Sequence, residues 1–518
     1  MTSHTAPAPH LLDSVDALFA ARSLQRTAPS GAWGVFGPDG LVHAGGHGFV
    51  ADRVPDAHTA YRIASCTKSF TAAALLALRD EGALALDDPI TRFLPGFAAV
   101  PLPSADAPVP TVRMLMTMSA GLPTDDPWGD RQESITNEQL DRLIADGLSF
   151  DSIPGTTFAY SNLGYALLGR VIEEASGRAY RDVVRERFLQ PLGLTGTGFD
   201  ASIADSDDVS GVAIGNRFLD GAWQELPFTG PGAFSPIGGL FSTVADLSRW
   251  AVWLAEAMLP EGGSGHAQAN GPVVSAPVTS APTAFGAAAF GAPDAADEPH
   301  STPLSRASRR EMQQLQRYAP GFSVLPAGYG FGLVVEQHPR FGAVVSHSGG
   351  YPGFSAHMRW IPSRGLGVVA FENATYSRVS AAATAALDLL TDSTPEVLSL
   401  DDRLWPETRA AQQAVSALIH DWSDAAAACL FAENVPLDEP FENRRAAIAR
   451  AIAAVDGLLP PTPEVQQATA GTIRESSSTP SHLVWRLPGN RGALRVEIRL
   501  TPQKPPLVQT FSVRAEHR

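Results

Sequence analysis

The stretch Ile63–Phe70 reads IASCTKSF and opens a helical pattern that continues to about Arg79. It places Ser65 and Lys68 three residues apart, so both side chains are predicted to lie on one face of the helix, about one turn from each other. A serine hydroxyl becomes a nucleophile when a neighbouring group takes its proton, and burial can lower the pKa of a lysine enough for this task. The spacing indicates a serine nucleophile with a lysine partner, but the pair alone is weak evidence because it also arises by chance.

Lysine is otherwise almost missing from the chain. Lysine and arginine together number 38 of 518 residues, and only Lys68 and Lys504 are lysine. A bias this strong is typical of a GC-rich genome. It leaves Lys68 as one of few cations that can release a proton, since a guanidinium holds its own.

Length and composition exclude several classes of protein. A chain of 518 residues with 44% hydrophobic and 18% charged residues is globular and long enough for two or more domains. The net charge of −16 argues against a surface for nucleic acid or anionic lipid, because such surfaces need clustered basic residues. Two cysteines cannot form a disulfide framework, and Met1–His10 lacks the basic and apolar segments of a signal peptide. The sequence predicts a cytoplasmic protein without nucleic-acid or membrane partners.

The hydrophobic patterns divide the chain into two predicted domains. Residues 1–395 contain a hairpin around the turn Gly37–Gly40, several helical segments and a run of strands that begins with Tyr329–Glu336. Within this domain, residues 259–305 are dominated by Ala, Pro, Gly, Ser and Thr, which predicts an irregular insertion. Residues 396–518 show helices followed by an alternating meander of strands, which is typical of a small α+β domain.

Two further motifs follow the serine and lysine in order. One is Tyr160–Asn162 (Tyr-Ser-Asn), and the other is His347–Gly350 (His-Ser-Gly-Gly) after an apolar run. With Ser-x-x-Lys, they resemble the penicillin-recognising serine hydrolases, and among these the class C β-lactamase-related branch, which also holds esterases and D-amino-acid peptidases. The resemblance covers about residues 11–390. It implies an α/β (α+β) fold of the β-lactamase/transpeptidase type, in which helices flank an antiparallel sheet and the site lies beside a helical region.

The resemblance also implies a role for each matching residue. Ser65 corresponds to the nucleophile that forms an acyl-enzyme, and Lys68 to its hydrogen-bonded partner. Tyr160 corresponds to the general base and acid, with a phenol pKa lowered by nearby cations. Four further residues match positions that bind the substrate or complete the oxyanion hole with the backbone N–H of the nucleophile: Asn162, His347, Gly349 and Gly350.

His347 departs from the strict β-lactamase and carboxypeptidase pattern, which has lysine at this position. A histidine is mostly neutral near pH 7, so it offers a substrate carboxylate no permanent cation. The sequence therefore favours a small ester or amide as substrate and an esterase as the activity. The alternatives are a D-amino-acid-specific peptidase or amidase, a β-lactamase and, in another class, a binding protein that keeps the fold without turnover.

No motif for a metal or cofactor accompanies these residues. The chain has no Gly-x-Ser-x-Gly nucleophile elbow, no His-Glu-x-x-His, no paired Cys-x-x-Cys and no phosphate-binding glycine-rich loop. The sequence therefore predicts neither a metal nor a cofactor, and it leaves the oligomeric state open, a homo-oligomer included. Asp125 and Asp126 are candidates for lining the site, although loop carboxylates are more often solvated.

Overall fold

The computed structural model separates into two compact units, Met1–Ser393 and Thr394–Arg518. It describes residues 7–259, 302–392, 404–460 and 475–516, apart from positions 322, 324 and 478. The larger part of the predicted insertion, 260–301, and the predicted domain boundary after residue 395 lie outside the described residues.

The first unit is built on an antiparallel sheet of eight strands. The strands of the whole unit, of which eight belong to this sheet, are in chain order β1 Ser30–Gly37, β2 Gly40–Gly48, β3 Thr59–Arg62, β4 Gly211–Val212, β5 Gly215–Leu219, β6 Ala222–Leu226, β7 Phe241–Ser242, β8 Arg317–Tyr318, β9 Ala327–Tyr329, β10 Val334–His338, β11 Gly342–Tyr351, β12 Phe354–Ile361 and β13 Leu366–Glu372. The large sheet has the order β2-β1-β13-β12-β11-β10-β9-β8, and each neighbouring pair in it is antiparallel. The predicted hairpin forms β1 and β2.

Helices pack on both faces of this sheet. The helices of the first unit are α1 Pro9–Leu24, α2 Thr67–Asp80, α3 Val112–Met116, α4 Asp126–Gly129, α5 Asn137–Ala145, α6 Asn162–Ser176, α7 Tyr180–Val184, α8 Ser235–Gly238, α9 Val244–Glu256, α10 Arg306–Met312 and α11 Val379–Asp392. Apolar residues of α1 and α11 form one core with Val35 and Val368. The opposite face packs on α2 and α9 through Phe36, Val369 and Trp360. Because every residue of α2 from Thr67 to Leu78 is buried, this helix carries its lysine into the core.

One predicted strand is two strands in the structure. The segment Tyr329–Glu336 ends β9 and begins β10, with a turn in which the N–H of Gly330 donates to the carbonyl of Leu333 at 2.8 Å. Gly332 in this turn has φ +70°, and a Cβ there would lie 2.4 Å from the backbone oxygen of Lys68. The prediction of a continuous strand was wrong because the turn depends on a left-handed glycine that approaches the α2 backbone, which hydrophobicity does not reveal.

The second unit has four helices and a three-stranded meander in the described residues. They are α12 Pro406–His420, α13 Asp424–Leu430, α14 Asn434–Asp438, α15 Phe441–Ala454, β14 His482–Gly489, β15 Gly492–Leu500 and β16 Val508–Glu516. The sheet has the order β14-β15-β16, and alternate residues of β15 are buried, as the alternating pattern predicts. Among the described residues of both units, no helix is long and apolar enough to cross a membrane.

Candidate active site

Ser65 lies in a single 3-10 turn, Ala64–Cys66, that leads directly into α2. Ala64 has φ +48°, in the left-handed region that non-glycine residues rarely adopt. Backbone strain of this kind is concentrated at functional sites. The side chain of Ser65 lines a cleft of about 770 Å³, whereas Ala64 and Cys66 are fully buried. The turn therefore presents one hydroxyl group to the cleft.

Lys68 is fully buried and makes three hydrogen bonds. Its Nζ lies 3.0 Å from Oγ of Ser65, 2.7 Å from Oδ1 of Asn162 and 2.8 Å from the backbone oxygen of Ile237. The amide and carbonyl oxygens can only accept, so they engage two hydrogens whether the amine is charged or neutral. When Lys68 is neutral, its lone pair is therefore left for the hydroxyl of Ser65.

The protonation of Lys68 depends on opposing effects. Burial lowers its pKa to about 8, while the carboxylates of Asp126, Asp130 and Asp125 act in the opposite direction. Burial also raises the pKa of Asp130 to about 7, opposed by the positive charge of Lys68. Lysine and carboxylate therefore both change protonation close to neutral pH.

Asp125 and Asp126 hold the second motif in place and are not the solvated loop carboxylates that sequence reasoning favoured. Asp125 accepts hydrogen bonds from the backbone N–H groups of Asn162, at 2.6 Å, and Leu163, at 2.8 Å. Asp126 accepts from Nδ2 of Asn162 at 2.8 Å. Asp126 and Asp130 also line the cleft. Because Asn162 is fully buried and its side chain is engaged by Lys68 and Asp126, it orients the lysine in this structure and does not face the cleft.

Tyr160 contacts Lys68 and also lines the cleft. Its ring centroid is 5.0 Å from Nζ of Lys68, and its side chain lines the cleft beside Ser65. Burial, followed by the charge of Asp126, raises the pKa of its phenol well above 10, and a hydrogen bond with Ser65 acts in the opposite direction. The predicted lowering of this pKa by nearby cations is therefore wrong. The cause is that burial outweighs the neighbouring charges, so Tyr160 keeps its proton at neutral pH.

His347 is a neutral residue within β11. Its Nδ1 lies 2.6 Å from the backbone oxygen of Ser348, which can only accept, so Nδ1 carries the proton. Its Nε2 then accepts from the hydroxyl of Tyr329 at 2.8 Å. Burial, and next the charge of Lys68, lowers the pKa of His347 to about 3. This position offers a substrate no cation, and Tyr329, which the sequence did not single out, fixes the ring.

In the third motif, Gly349 allows β11 to approach the serine turn, and Gly350 allows it to approach Tyr376. A Cβ on Gly349 would lie 2.3 Å from the backbone oxygen of Ile63. A Cβ on Gly350 would lie 3.0 Å from the ring of Tyr376. This close approach brings Gly349, Gly350 and Ser65 into the lining of one cleft. The oxyanion hole formed by the N–H groups of Ser65 and Gly350 stays a prediction.

A buried ion pair supports the segment behind Lys68. Nη1 of Arg62 lies 3.4 Å from Oε2 of Glu133, and their side chains are 1% and 0% exposed. Oε1 of Glu133 accepts from the hydroxyl of Ser235 at 2.9 Å. Ser235 begins α8, which contains Ile237, the residue whose carbonyl accepts from Lys68. No sequence motif pointed to this pair.

The structure brings the predicted residues together at two depths. Ser65, Tyr160, His347 and the two glycines line the cleft, while Lys68 and Asn162 are buried behind it. Over the part of the chain that the structure describes, no cluster of three or more His, Cys, Asp or Glu residues could hold a metal ion. The contacts place a buried amine beside the hydroxyl of Ser65.

The fold is of the β-lactamase/transpeptidase type. The family model described as Beta-lactamase matches residues 15–393, and the chain belongs to the β-lactamase family. Members of this family are typically hydrolytic serine enzymes. The predicted family and fold class are thus confirmed.

Two curated relatives and two solved structures show the extent of the similarity. The chain is 27% identical over 330 residues to penicillin-binding protein 4* of Bacillus subtilis, covering 62% of this chain and 63% of that protein. It is 30% identical over 200 residues to the D-alanyl-D-alanine-carboxypeptidase/endopeptidase AmpH of Escherichia coli, covering 38% of this chain and 49% of that protein. The matches thus span less than two thirds of these relatives.

The solved structures confirm the fold. An octameric penicillin-binding protein homologue from Pyrococcus abyssi has a TM-score of 0.58 at 22% identity, covering 95% of this chain and 91% of that chain. A D-stereospecific amidohydrolase from Streptomyces sp. has a TM-score of 0.54 at 22% identity, covering 75% of this chain and 100% of that chain.

Proposed function

We propose that the protein hydrolyses a small ester or amide through an acyl-enzyme on Ser65, with esters as the preferred substrates. The observation that carries this proposal is the distance of 3.0 Å between Nζ of the buried Lys68 and Oγ of Ser65. Because the pKa of Lys68 is lowered to about 8, a useful fraction of the amine is neutral at mildly alkaline pH. A neutral amine in this position accepts the proton of Ser65.

The reaction then proceeds in two halves. A bond forms between Oγ of Ser65 and the carbonyl carbon of the substrate as the proton moves to Lys68. The bond to the leaving group breaks, Tyr160 donates its proton to the departing atom, and Lys68 returns the proton to Tyr160. Water adds to the acyl carbon in the second half, which releases the acid and restores the proton to Ser65. The N–H groups of Ser65 and Gly350 would stabilise each oxyanion.

The neutral His347 supports an ester or simple amide in preference to a substrate with an obligatory carboxylate. A buried imidazole whose pKa is about 3 supplies no charge to pair with a carboxylate. Relatives named for penicillin binding or D-alanyl carboxypeptidase activity therefore serve as a guide to the mechanism more than to the substrate. A β-lactam is expected to react slowly with this protein.

A second candidate is an amidase specific for D-amino acids. It is supported by Asp126 and Asp130, which line the cleft and could pair with the ammonium group of an amino-acid amide. A solved structure with a similar fold is described as a D-stereospecific amidohydrolase. A homo-oligomer is a further proposal, since another similar structure is described as octameric.

Intact-mass detection of covalent adducts tests the proposal. The protein is incubated separately with para-nitrophenyl acetate, D-alanine para-nitroanilide and benzylpenicillin. We expect an acetyl adduct on Ser65 and the fastest turnover with the ester. Ser65→Ala should lose both, and Ser104→Ala, on a surface loop, serves as the matched control. Faster turnover of the D-alanine anilide would favour the amidase, whereas no adduct with any compound would indicate a binding protein.

A further inference from the structure

The cleft that contains Ser65 continues onto the opposite side of β11. Because side chains alternate along a strand, Ser348 points to the other face of the sheet from His347. The residue directly across from Ser348 on β12 is His357. We call this part of the cleft the polar compartment, and the residues that line it include Ser346, Ser348, His357, Arg359 and Thr384.

His357 is a buried group with unused hydrogen-bonding capacity. It is 4% exposed, and its Nδ1 lies 2.9 Å from the hydroxyl oxygen of Ser348, which is itself exposed to the cleft. Its Nε2 is buried and has no hydrogen-bond partner among the described residues. Native proteins seldom leave such an atom unpaired, because its desolvation is then uncompensated. A ligand in the compartment would supply the missing partner.

The buried lining of the compartment has no net charge. The guanidinium of Arg359 pairs with Glu336, which also accepts a hydrogen bond from the hydroxyl of Ser323. Burial, and next the charge of Arg359, lowers the pKa of His357 to about 3, so the imidazole is neutral. Arg378 at the rim is exposed, where solvent and salt screen its charge. Bringing a carboxylate against the neutral imidazole would cost desolvation, so the compartment favours an uncharged polar group.

The position of Tyr160 indicates which end of the substrate reaches the compartment. In the proposed mechanism Tyr160 gives its proton to the leaving group, so the leaving group must lie beside it. Tyr160, Ser348 and His357 all line the same cleft as Ser65. A leaving group next to Tyr160 can therefore extend within this cleft towards Ser348 and His357.

We propose that the polar compartment binds the leaving group of the substrate and selects leaving groups with an uncharged hydrogen-bonding substituent such as a carboxamide. This inference rests on the proposed acyl-enzyme function of Ser65. His357 and Ser348 act as specificity-determining residues. Nε2 of His357 and the exposed hydroxyl of Ser348 together form hydrogen bonds with one donor and one acceptor of the substituent.

Three acetate esters of substituted phenols separate leaving-group recognition from the rest of catalysis. They are meta-carbamoylphenyl, meta-isopropylphenyl and meta-carboxyphenyl acetate, which all give the same acetyl-enzyme, so only acylation differs among them. Each kcat/KM is divided by the rate of alkaline hydrolysis of the same ester, which removes intrinsic differences in reactivity. We expect the carbamoyl ester to exceed the isopropyl ester by about tenfold after this correction. His357→Phe and Ser348→Ala should abolish this ratio, and His58→Phe, at an exposed position, should retain it.

Two outcomes would overturn the inference: a carbamoyl-to-isopropyl ratio that survives His357→Phe, or a preference for the carboxyphenyl ester. If no ester acylates Ser65, the proposed function fails, and the compartment is then tested by binding alone. For that test, meta-hydroxybenzamide is titrated into the protein by calorimetry. Binding that weakens about tenfold in His357→Phe supports the compartment, and equal or undetectable binding in both proteins refutes it.

Discussion

Arg62 and Lys68 are two cations buried on the same short stretch of chain, and the protein treats them in opposite ways. Nη1 of Arg62 lies 3.4 Å from Oε2 of Glu133, and its Cζ lies over the rings of Phe241 and Tyr351, 4.7 and 4.2 Å from their centroids. Lys68 donates its three hydrogen bonds to uncharged oxygens. The first environment fixes a charge by pairing it. The second environment holds the pKa of Lys68 at about 8, so the amine can lose its proton near neutral pH.

Replacement of Lys68 by arginine should remove the difference between the two sites most completely, because both would then hold a permanent cation. Lys68→Arg keeps a cation beside Ser65 but removes the proton acceptor, so we expect kcat/KM for para-nitrophenyl acetate to fall at least about a thousandfold. Lys504→Arg makes the same substitution at an exposed residue and should leave kcat/KM unchanged. An active Lys68→Arg protein would show that Lys68 is only a positive charge.

Removal of the partner of Arg62 should affect stability. Glu133→Gln leaves a buried guanidinium without its counter-ion, and we expect the free energy of unfolding in urea to fall by about 3 kcal/mol. The double variant Arg62→Met, Glu133→Leu should recover most of this loss, because it removes both charges.

The matched control for this pair is Asp87→Asn, which breaks the exposed pair of Asp87 and Arg113. It should cost less than about 1 kcal/mol. Equal losses for Glu133→Gln and Asp87→Asn would mean that the buried pair contributes no more to stability than an exposed one.

Asp130→Asn should sharpen the comparison by lowering the pKa of Lys68. Activity is expected to rise as pH increases through the Lys68 pKa of about 8, because the base in the proposed mechanism is the neutral amine. Removing the carboxylate removes a charge that favours the protonated amine, so the rising limb of kcat/KM should move about one unit to lower pH. Asp141→Asn, on the exposed side of α5, should leave the profile in place. A shift to higher pH would contradict the assignment of Lys68 as the base.

The sequence predicted what local pattern controls. The position of Ser65 and Lys68 on the same side follows from their helical spacing. The hairpin of β1 and β2 follows from its turn residues. Contacts between distant segments were not predictable in this way. The Arg62–Glu133 pair and the carbonyl of Ile237 reach the site from remote parts of the chain, and no periodicity marks them. The pKa of Tyr160 was expected to fall, but it rises, because burial is a property of the folded chain and not of the motif.

The complete burial of Lys68 has a practical consequence for handling the protein. Lys504 is exposed, Lys68 is fully buried and the chain has no third lysine, so an amine-reactive dye should label only one lysine side chain of the native protein, that of Lys504. Denaturant would expose one further lysine amine, that of Lys68. The number of dye molecules per chain therefore reports whether the core around α2 is closed.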